Sequence, residues 1–294
     1  MKPSPCLHPA CASQQDPTIA AHGRWCAACG RPVAGARLGA GERFVVEAYL
    51  ASGYVADIFA VRNVATNSRY VAKLYGRDET KRFFAAREVA AHTQLVHPRI
   101  PALIDAFADD PWYCVVMELA GGTELRRHVE AAGPLSVAAA VKLGRDLCDV
   151  LDAVTANGWT YRDLHPRNIM VGGARGAVIV DFDGARPPGW PPEPRGRFGY
   201  RAPELEESGE VTPVCDVYSL AGCLYFALTR EDPPLTSGPM PRLLGPLARH
   251  PRLARLLDAC RDARPHRRPA IESLSQAFGA VTWIAGDSCP RSDC

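Results

Sequence analysis

Tyr161-Arg162-Asp163-Leu164-His165-Pro166-Arg167-Asn168 and Val180-Asp181-Phe182-Asp183-Gly184 are the two stretches on which the reading of this chain turns. They hold carboxylates and an amide in a fixed order. Moving a phosphoryl group asks little covalent chemistry of a protein. It asks for a carboxylate to take the proton of the attacking hydroxyl, and for oxygen ligands that hold Mg²⁺ against the phosphates. Asp163 offers the base, and Asn168, five residues on, a metal ligand. Asp181, thirteen positions after Asn168, offers the main magnesium ligand at the end of an apolar run (Val178, Ile179, Val180) that reads as a strand.

The bulk properties leave room for such a site. A chain of 294 residues holds one large domain or two smaller ones with ample core. Hydrophobic residues make up 47% and charged residues 22%, as in ordinary globular proteins. A net charge of +2 gives no footprint for nucleic acid or an anionic membrane. No apolar run reaches the roughly 18–20 residues that span a bilayer, and the N-terminus lacks the apolar core of a signal peptide. The expected compartment is the cytoplasm. Arginines outnumber lysines thirty to four, so a lysine standing in a motif carries weight. Eleven cysteines is a high, odd count for an intracellular chain, where a disulfide scaffold is a poor explanation.

Along the chain, residues 1–32 are rich in Cys, Pro, His and small residues and show neither helical nor strand periodicity; a Gly/Ala linker, 33–41, follows. Apolar alternation then predicts strands over 44–50, 56–64 and 69–75. A helix comes next, with Phe83, Phe84, Val89 and Ala90 on one face, and then strands over 102–108 and 112–119. Beyond Gly122 the pattern turns helical: a long segment from Ser136 to about Ala156, then 214–229, 243–261 and 270–281. Strands first and helices later, with the chemistry at the junction, predict a two-lobed α+β enzyme.

Asp163, Asn168 and Asp181 in this order and spacing resemble the catalytic core of protein kinases. The resemblance implies an N-lobe of antiparallel sheet and one helix (42–120), a mainly helical C-lobe (121–281), and a tail, 282–294. It assigns Lys73 of Val71-Ala72-Lys73 to the α- and β-phosphates of ATP, with Glu88 on the following helix orienting its ammonium group. Ala51-Ser52-Gly53-Tyr54-Val55-Ala56 stands where the family has its glycine loop, so Ala51, Gly53 and Ala56 would lie against the phosphates, although only Gly53 retains glycine. Val115 to Ala120 resembles the hinge, with Met117 as gatekeeper and the backbones of Glu118 and Ala120 binding adenine. Ala202-Pro203-Glu204 closes the activation segment; Asp216 would brace the catalytic loop, and Arg268 would pair with Glu204. The resemblance covers about residues 42–281.

Four positions depart from it. Tyr161 stands for the usual His before Arg162-Asp163, His165 for the lysine that meets the γ-phosphate, Asp183 for the glycine of Asp-Phe-Gly, and Arg197 for the threonine beside the base. From Phe182 to Pro203 there is no Ser or Thr, and Tyr200 is the one hydroxyl side chain. Ordering of this segment by phosphorylation is thus nearly closed; its prolines and Trp190 would stiffen it, and Glu193 would offer Arg162 a fixed negative partner.

Cys6-x4-Cys11 and Cys26-x2-Cys29-Gly30 form two pairs that can place four thiolates around Zn²⁺. A segment this short has no adequate core, so metal binding would supply its folding free energy; a redox or disulfide role, or iron, are the alternatives. The ribbon joined to the rest resembles the four-cysteine bacterial serine/threonine kinases. The resemblance implies ATP, Mg²⁺ (or Mn²⁺) and structural Zn²⁺ as cofactors and proteins as substrates. Asp-Leu-His-Pro with Asp-Phe-Asp also resembles kinases of aminoglycosides or choline, which lack the Ala-Pro-Glu closure with its distal arginine. A pseudokinase is the third reading, suggested by the depleted glycine loop and His165.

Overall fold

The structure is a computed structural model that describes residues 6–12, 21–187, 196–207, 212–240 and 246–281. The chain divides into two compact units: Met1–Thr93 with Ala102–Leu119, and Gln94–Pro101 with Ala120–Cys294.

In the first unit, a short hairpin of β1 (Ala21–His22) and β2 (Trp25–Cys26) precedes a six-stranded antiparallel sheet. Its strands are β3 (Arg37–Leu38), β4 (Phe44–Ser52), β5 (Ala56–Asn63), β6 (Arg69–Gly76), β7 (Leu103–Asp109) and β8 (Trp112–Glu118), in the order β3-β4-β5-β6-β8-β7. Helix α1 (Glu79–Gln94) crosses from β6 toward β7. Successive side chains of a strand point to opposite faces, and here the two faces have different partners. Phe44, Val46, Phe59, Val61, Ala72, Leu74, Cys114 and Val116 are buried with Val33, Ala36, Leu38 and the N-terminal cysteines. Ala56, Tyr75, Val115 and Met117 pack with Phe84 and Ala85 of α1. Lys73 alternates with Ala72 and Leu74, and is therefore turned toward the α1 face.

Two expectations change here. Residues 33–41, read as a linker, carry β3 and three side chains in the sheet's core, because Val33, Ala36 and Leu38 supply the apolar cover that Phe59 and Val61 need. The buried residues of α1 are Phe84, Ala85, Arg87, Glu88, Ala91 and His92, whereas Phe83 is exposed. One helical position separates the two phenylalanines, about 100° of rotation, and the sheet can take only one of them.

The second unit is built around α3 (Val137–Ala156), α5 (Val214–Thr229) and α8 (Ile271–Gly279). Ser136 caps α3, its hydroxyl accepting from the Ala139 amide at 3.2 Å. Gly144 lets α3 approach its neighbours, since a Cβ there would lie 3.1 Å from Leu224 and Phe278. All residues of α5 from Cys215 to Leu228 are buried, as expected of a helix apolar on every side. A three-stranded sheet joins β9 (Thr123–Glu124), β10 (Ile169–Gly173) and β11 (Gly176–Ile179), and α2 (Leu125–Ala132) follows β9. The short α4 (Glu204–Glu207) closes the loop before α5.

Residues 243–261, expected as one helix, are described from 246 onward and form α6 (Pro246–Arg249) and α7 (Pro251–Cys260). Pro251 at the first position of α7 starts a new helix because its ring cannot continue the previous one. Trp190, Glu193 and the tail 282–294 lie outside the described residues. Among the described residues no helix is long and apolar enough to cross a membrane.

Candidate active site

The β10–β11 hairpin explains the thirteen-residue spacing. Ile169 pairs with Ile179 and Met170 with Val178. The residue before β10, Asn168, therefore lies beside the residue after β11, Val180, whose amide donates to the Asn168 carbonyl at 2.9 Å. Asp181 is next in the chain. A loop that ends in Asn168 and a carboxylate at Asp181 are thus brought together by strand register alone.

The loop itself is held from α5. Both oxygens of the Asp216 carboxylate accept backbone amides at 2.7 Å, Oδ2 from Tyr161 and Oδ1 from Arg162. Burial pushes the Asp216 carboxyl up to about 6, while those two donors and the Arg162 charge act in the other direction and keep it ionised at neutral pH. Arg162 needs this clamp, because its φ of 72° is a left-handed conformation that costs a non-glycine residue on the order of 1 kcal/mol or more. Asp181 is left-handed as well, at φ 67°. Asp183 is not among the residues with positive φ, so this position does not require the family's glycine.

Tyr161 is fully buried. Its hydroxyl donates to the Val180 carbonyl at 2.6 Å, and its ring meets Phe182 edge-on at 5.0 Å. It packs and bonds where a histidine was the expectation. The Asn168 amide nitrogen donates to the Asp163 carbonyl at 3.0 Å, which fixes the orientation of the side-chain amide. His165 Nδ1 accepts from the Arg167 amide at 3.2 Å, so the proton of the neutral ring sits on Nε2, 3.6 Å from Asp163 Oδ1. Burial, then the Arg197 charge, hold the His165 ring down at about 4. It is neutral at pH 7 and cannot replace the charge of a lysine.

The end of the activation segment is pinned by three contacts. Arg268 pairs through both nitrogens with Glu204, at 2.5 and 2.7 Å. Arg261 donates to the Gly199 carbonyl at 2.8 Å, and the Ser219 hydroxyl to the Tyr200 carbonyl at 2.9 Å. Tyr200 is 1% exposed, with its hydroxyl on Asp232 at 2.5 Å, so the segment's one hydroxyl side chain is already committed. Nothing in the local sequence pointed to Asp232 or Arg261.

In the first unit, Lys73 Nζ lies 2.7 Å from Glu88 Oε1, and both residues are buried. His92, one turn along α1, approaches the same oxygen at 3.3 Å. Burial works against the Glu88 charge, but Lys73 and then His92 outweigh it and hold the carboxyl down at about 2. The i, i+4 spacing of Glu88 and His92 was the signal that sequence reasoning passed over. At the hinge, the Glu118 amide donates to the Ala102 carbonyl at 2.9 Å. In the glycine loop, Gly53 donates to the Ala56 carbonyl at 2.8 Å and closes the turn between β4 and β5.

Cys6, Cys11, Cys26 and Cys29 form one cluster, their sulfurs all within 4.8 Å of one another. Cys6 and Cys29 are 3.5 Å apart, Cys11 and Cys26 3.6 Å. A tetrahedral ion with Zn–S bonds of about 2.3 Å needs sulfurs about 3.8 Å apart, so the cluster fits that ion. Gly30, at φ 69°, turns the chain after Cys29, and its amide returns to the Cys26 carbonyl at 2.8 Å. Cys114, Cys148, Cys215, Cys223 and Cys260 are buried singly as small apolar groups.

Residues 44–277 match the model of the protein kinase domain, and the chain belongs to that family. The cysteine cluster precedes the matched range. Among similar proteins, serine/threonine-protein kinase PkaA of Streptomyces coelicolor is 31% identical over 221 residues, covering 69% of this chain and 40% of its own length. The probable serine/threonine-protein kinase PkwA of Thermomonospora curvata is 30% identical over 258 residues, 82% of this chain and 34% of its own. Serine/threonine-protein kinase PknD of Mycobacterium tuberculosis is 34% identical over 170 residues, 56% and 26% respectively. The chain spans less than half the length of these relatives.

Two outcomes follow from the geometry. Lys73→Met leaves a fully buried carboxylate facing His92 without its ammonium partner, and is expected to cost about 3 kcal/mol in urea unfolding at pH 7. Adding Glu88→Gln should restore most of that stability without restoring nucleotide binding. His165 has a folded pKa below its unfolded value, so its contribution is complete above pH ~6.5 and is lost as pH falls from there toward 4. His165→Gln is therefore expected to lose less stability than the parent between pH 7 and pH 5, measured by urea midpoints.

Proposed function

We propose that this protein is an ATP-dependent kinase that transfers the γ-phosphate to Ser or Thr hydroxyls of protein substrates. The observation that carries the reading is the Asp163–Asn168–Asp181 arrangement: a base and two oxygen ligands held by one hairpin and one buried clamp. Asp163 takes the proton of the acceptor hydroxyl, and Asn168 and Asp181 would hold Mg²⁺ (or Mn²⁺). Lys73, oriented by Glu88, meets the α- and β-phosphates, and Ala51, Gly53 and Ala56 line the phosphate loop. Adenine would be met by the Glu118 carbonyl, since its amide is used by Ala102, and by the Ala120 backbone. The bound metal supplies charge neutralisation of the transferring phosphoryl group. Arg162, His165, Glu204, Asp216 and Arg268 support this machinery. The bidentate Glu204–Arg268 pair favours a protein acceptor over a small one, because it shapes the closure that aminoglycoside-type kinases lack.

The cysteine cluster is a structural zinc site in this reading. Cys6, Cys11, Cys26 and Cys29 would hold the ion, and residues 1–32 form the ribbon. A kinase that draws on cellular ATP would do its work in the cytoplasm.

With ATP–Mg²⁺ and a Ser/Thr peptide library, the full chain should transfer phosphate, and Asp163→Asn should lower kcat by roughly 10³-fold while preserving the melting temperature. Transfer to aminoglycosides but to no peptide would select the small-molecule reading; nucleotide binding without any turnover would select the pseudokinase. Metal analysis of the same protein should return one zinc per chain. Cys26→Ser is expected to lower that stoichiometry and to reduce the melting temperature, and undiminished zinc content would remove the cluster as the binding site.

A further inference from the structure

The cysteine ribbon does more in this structure than cover a face of the sheet. Gly30 follows the last cysteine, and its carbonyl accepts from the Trp112 indole at 3.2 Å. Arg31 comes next. Its own carbonyl accepts from the Cys26 amide at 2.8 Å, and the following residue, Pro32, bridges to Trp25. The backbone of Arg31 is thus tied into the knuckle on both sides. Its side chain reaches out of the knuckle and grips Asp57 with two bonds, Nε to Oδ2 at 2.8 Å and Nη2 to Oδ1 at 3.2 Å. Asp57 is 7% exposed and takes one further donor, the hydroxyl of Ser52.

Ser52 and Asp57 are register partners across β4 and β5. They are the two posts of the turn that holds Gly53, Tyr54, Val55 and Ala56, the loop assigned above to the phosphates. Ala51 and Ala56 stand where glycines were expected, so the backbone has fewer conformations available and its placement matters more. A carboxylate that takes a guanidinium on one side and the opposite post's hydroxyl on the other fixes the mouth of that turn. A second anchor keeps the ribbon from shifting on the sheet: Arg24 pairs with Asp109 through both nitrogens, and the Gly39 amide donates to the same carboxylate at 2.8 Å.

We propose that Arg31 and Asp57 are positioning residues for the nucleotide: a brace from the cysteine ribbon that sets the phosphate loop at residues 52–57. The brace rests on the assignment of that loop in the proposed function, but its geometry lies wholly within the first unit. A planar guanidinium suits the task because it fixes a carboxylate in direction as well as distance, which an ammonium does not. Arg31 acts through Asp57 and Ser52 and touches no reacting atom.

The test uses the full chain with its metal, comparing the parent with Arg31→Ala, Arg31→Lys, Asp57→Asn and the double variant Arg31→Ala/Asp57→Asn. Hydrogen exchange of the amides at 52–57 is followed without nucleotide, KM for ATP and kcat are measured with a peptide acceptor, and zinc is quantified in each sample. Arg31→Ala should speed exchange across the loop and raise KM for ATP roughly fivefold, with kcat within about twofold and zinc unchanged. Arg31→Lys should recover part of both effects. The double variant should be no worse than the more severe single one, because the two residues form one contact. Unchanged exchange at 52–57 in Arg31→Ala overturns the proposal, as does a fall in kcat at constant KM, or single effects that simply add. If the parent transfers no phosphate but its loop exchange still responds to Arg31→Ala, the kinase reading falls and the brace stands.

Discussion

A single buried carboxylate organises the catalytic half of this protein. Asp216 projects from a mostly apolar helix, buried from Cys215 to Leu228, and accepts the amides of two consecutive residues, Tyr161 and Arg162. Burying a charge costs free energy unless hydrogen bonds replace its water, and here the replacement bonds come from the loop that must be positioned. The cost and the positioning are one interaction. Arg162 accepts a left-handed backbone under that clamp, and the chain then emerges with Asp163 and Asn168 in order. From Asn168 the β10–β11 hairpin returns the chain to the same place, where Asp181 follows Val180.

The other unit solves a similar problem with opposite charges. Lys73 must keep an ammonium group in a buried setting, and Glu88 on α1 supplies the compensating charge, its carboxylate approached in turn by His92. The alternation of β6 decides that Lys73 faces α1, while Ala72 and Leu74 face the ribbon. One strand therefore serves a functional face and a structural face at once. The ribbon covers Phe59 and Val61, which would otherwise present an apolar sheet to water, and it does so with a module too small to hold a core of its own.

Some of this was legible from residue types and spacing. Asp163, Asn168 and Asp181 could be read from residue type and spacing, whereas Lys73, Glu88, Glu204, Asp216 and Arg268 were singled out by the resemblance to protein kinases. The strands over residues 44–76 were readable from alternation to within a residue or two. The face of α1 was not: Phe83 and Phe84 are equally apolar, and the choice between them belongs to the sheet. The engagement of residues 33–41 was hidden by a composition of Gly and Ala, which resembles a linker until Val33 and Leu38 are seen against Phe44. Arg31 with Asp57, and Tyr200 with Asp232, pair residues 26 and 32 positions apart through surfaces that no local pattern announces.

The amino-acid sequence by itself determined which groups are offered for the proposed chemistry, since carboxylates, an amide and a motif lysine are properties of residue type and order. It also determined the strand and helix segments, through periodicities of two and of about 3.6. Tertiary structure alone decided how those groups are held: that Tyr161 bonds Val180, that His165 is neutral through burial and its Arg197 neighbour, and that the cysteine-rich segment reaches the β4–β5 turn through Arg31. The physical reason is that burial, charge compensation and contact across the sheet depend on which surfaces meet, and a residue's environment is not written in its neighbours along the chain.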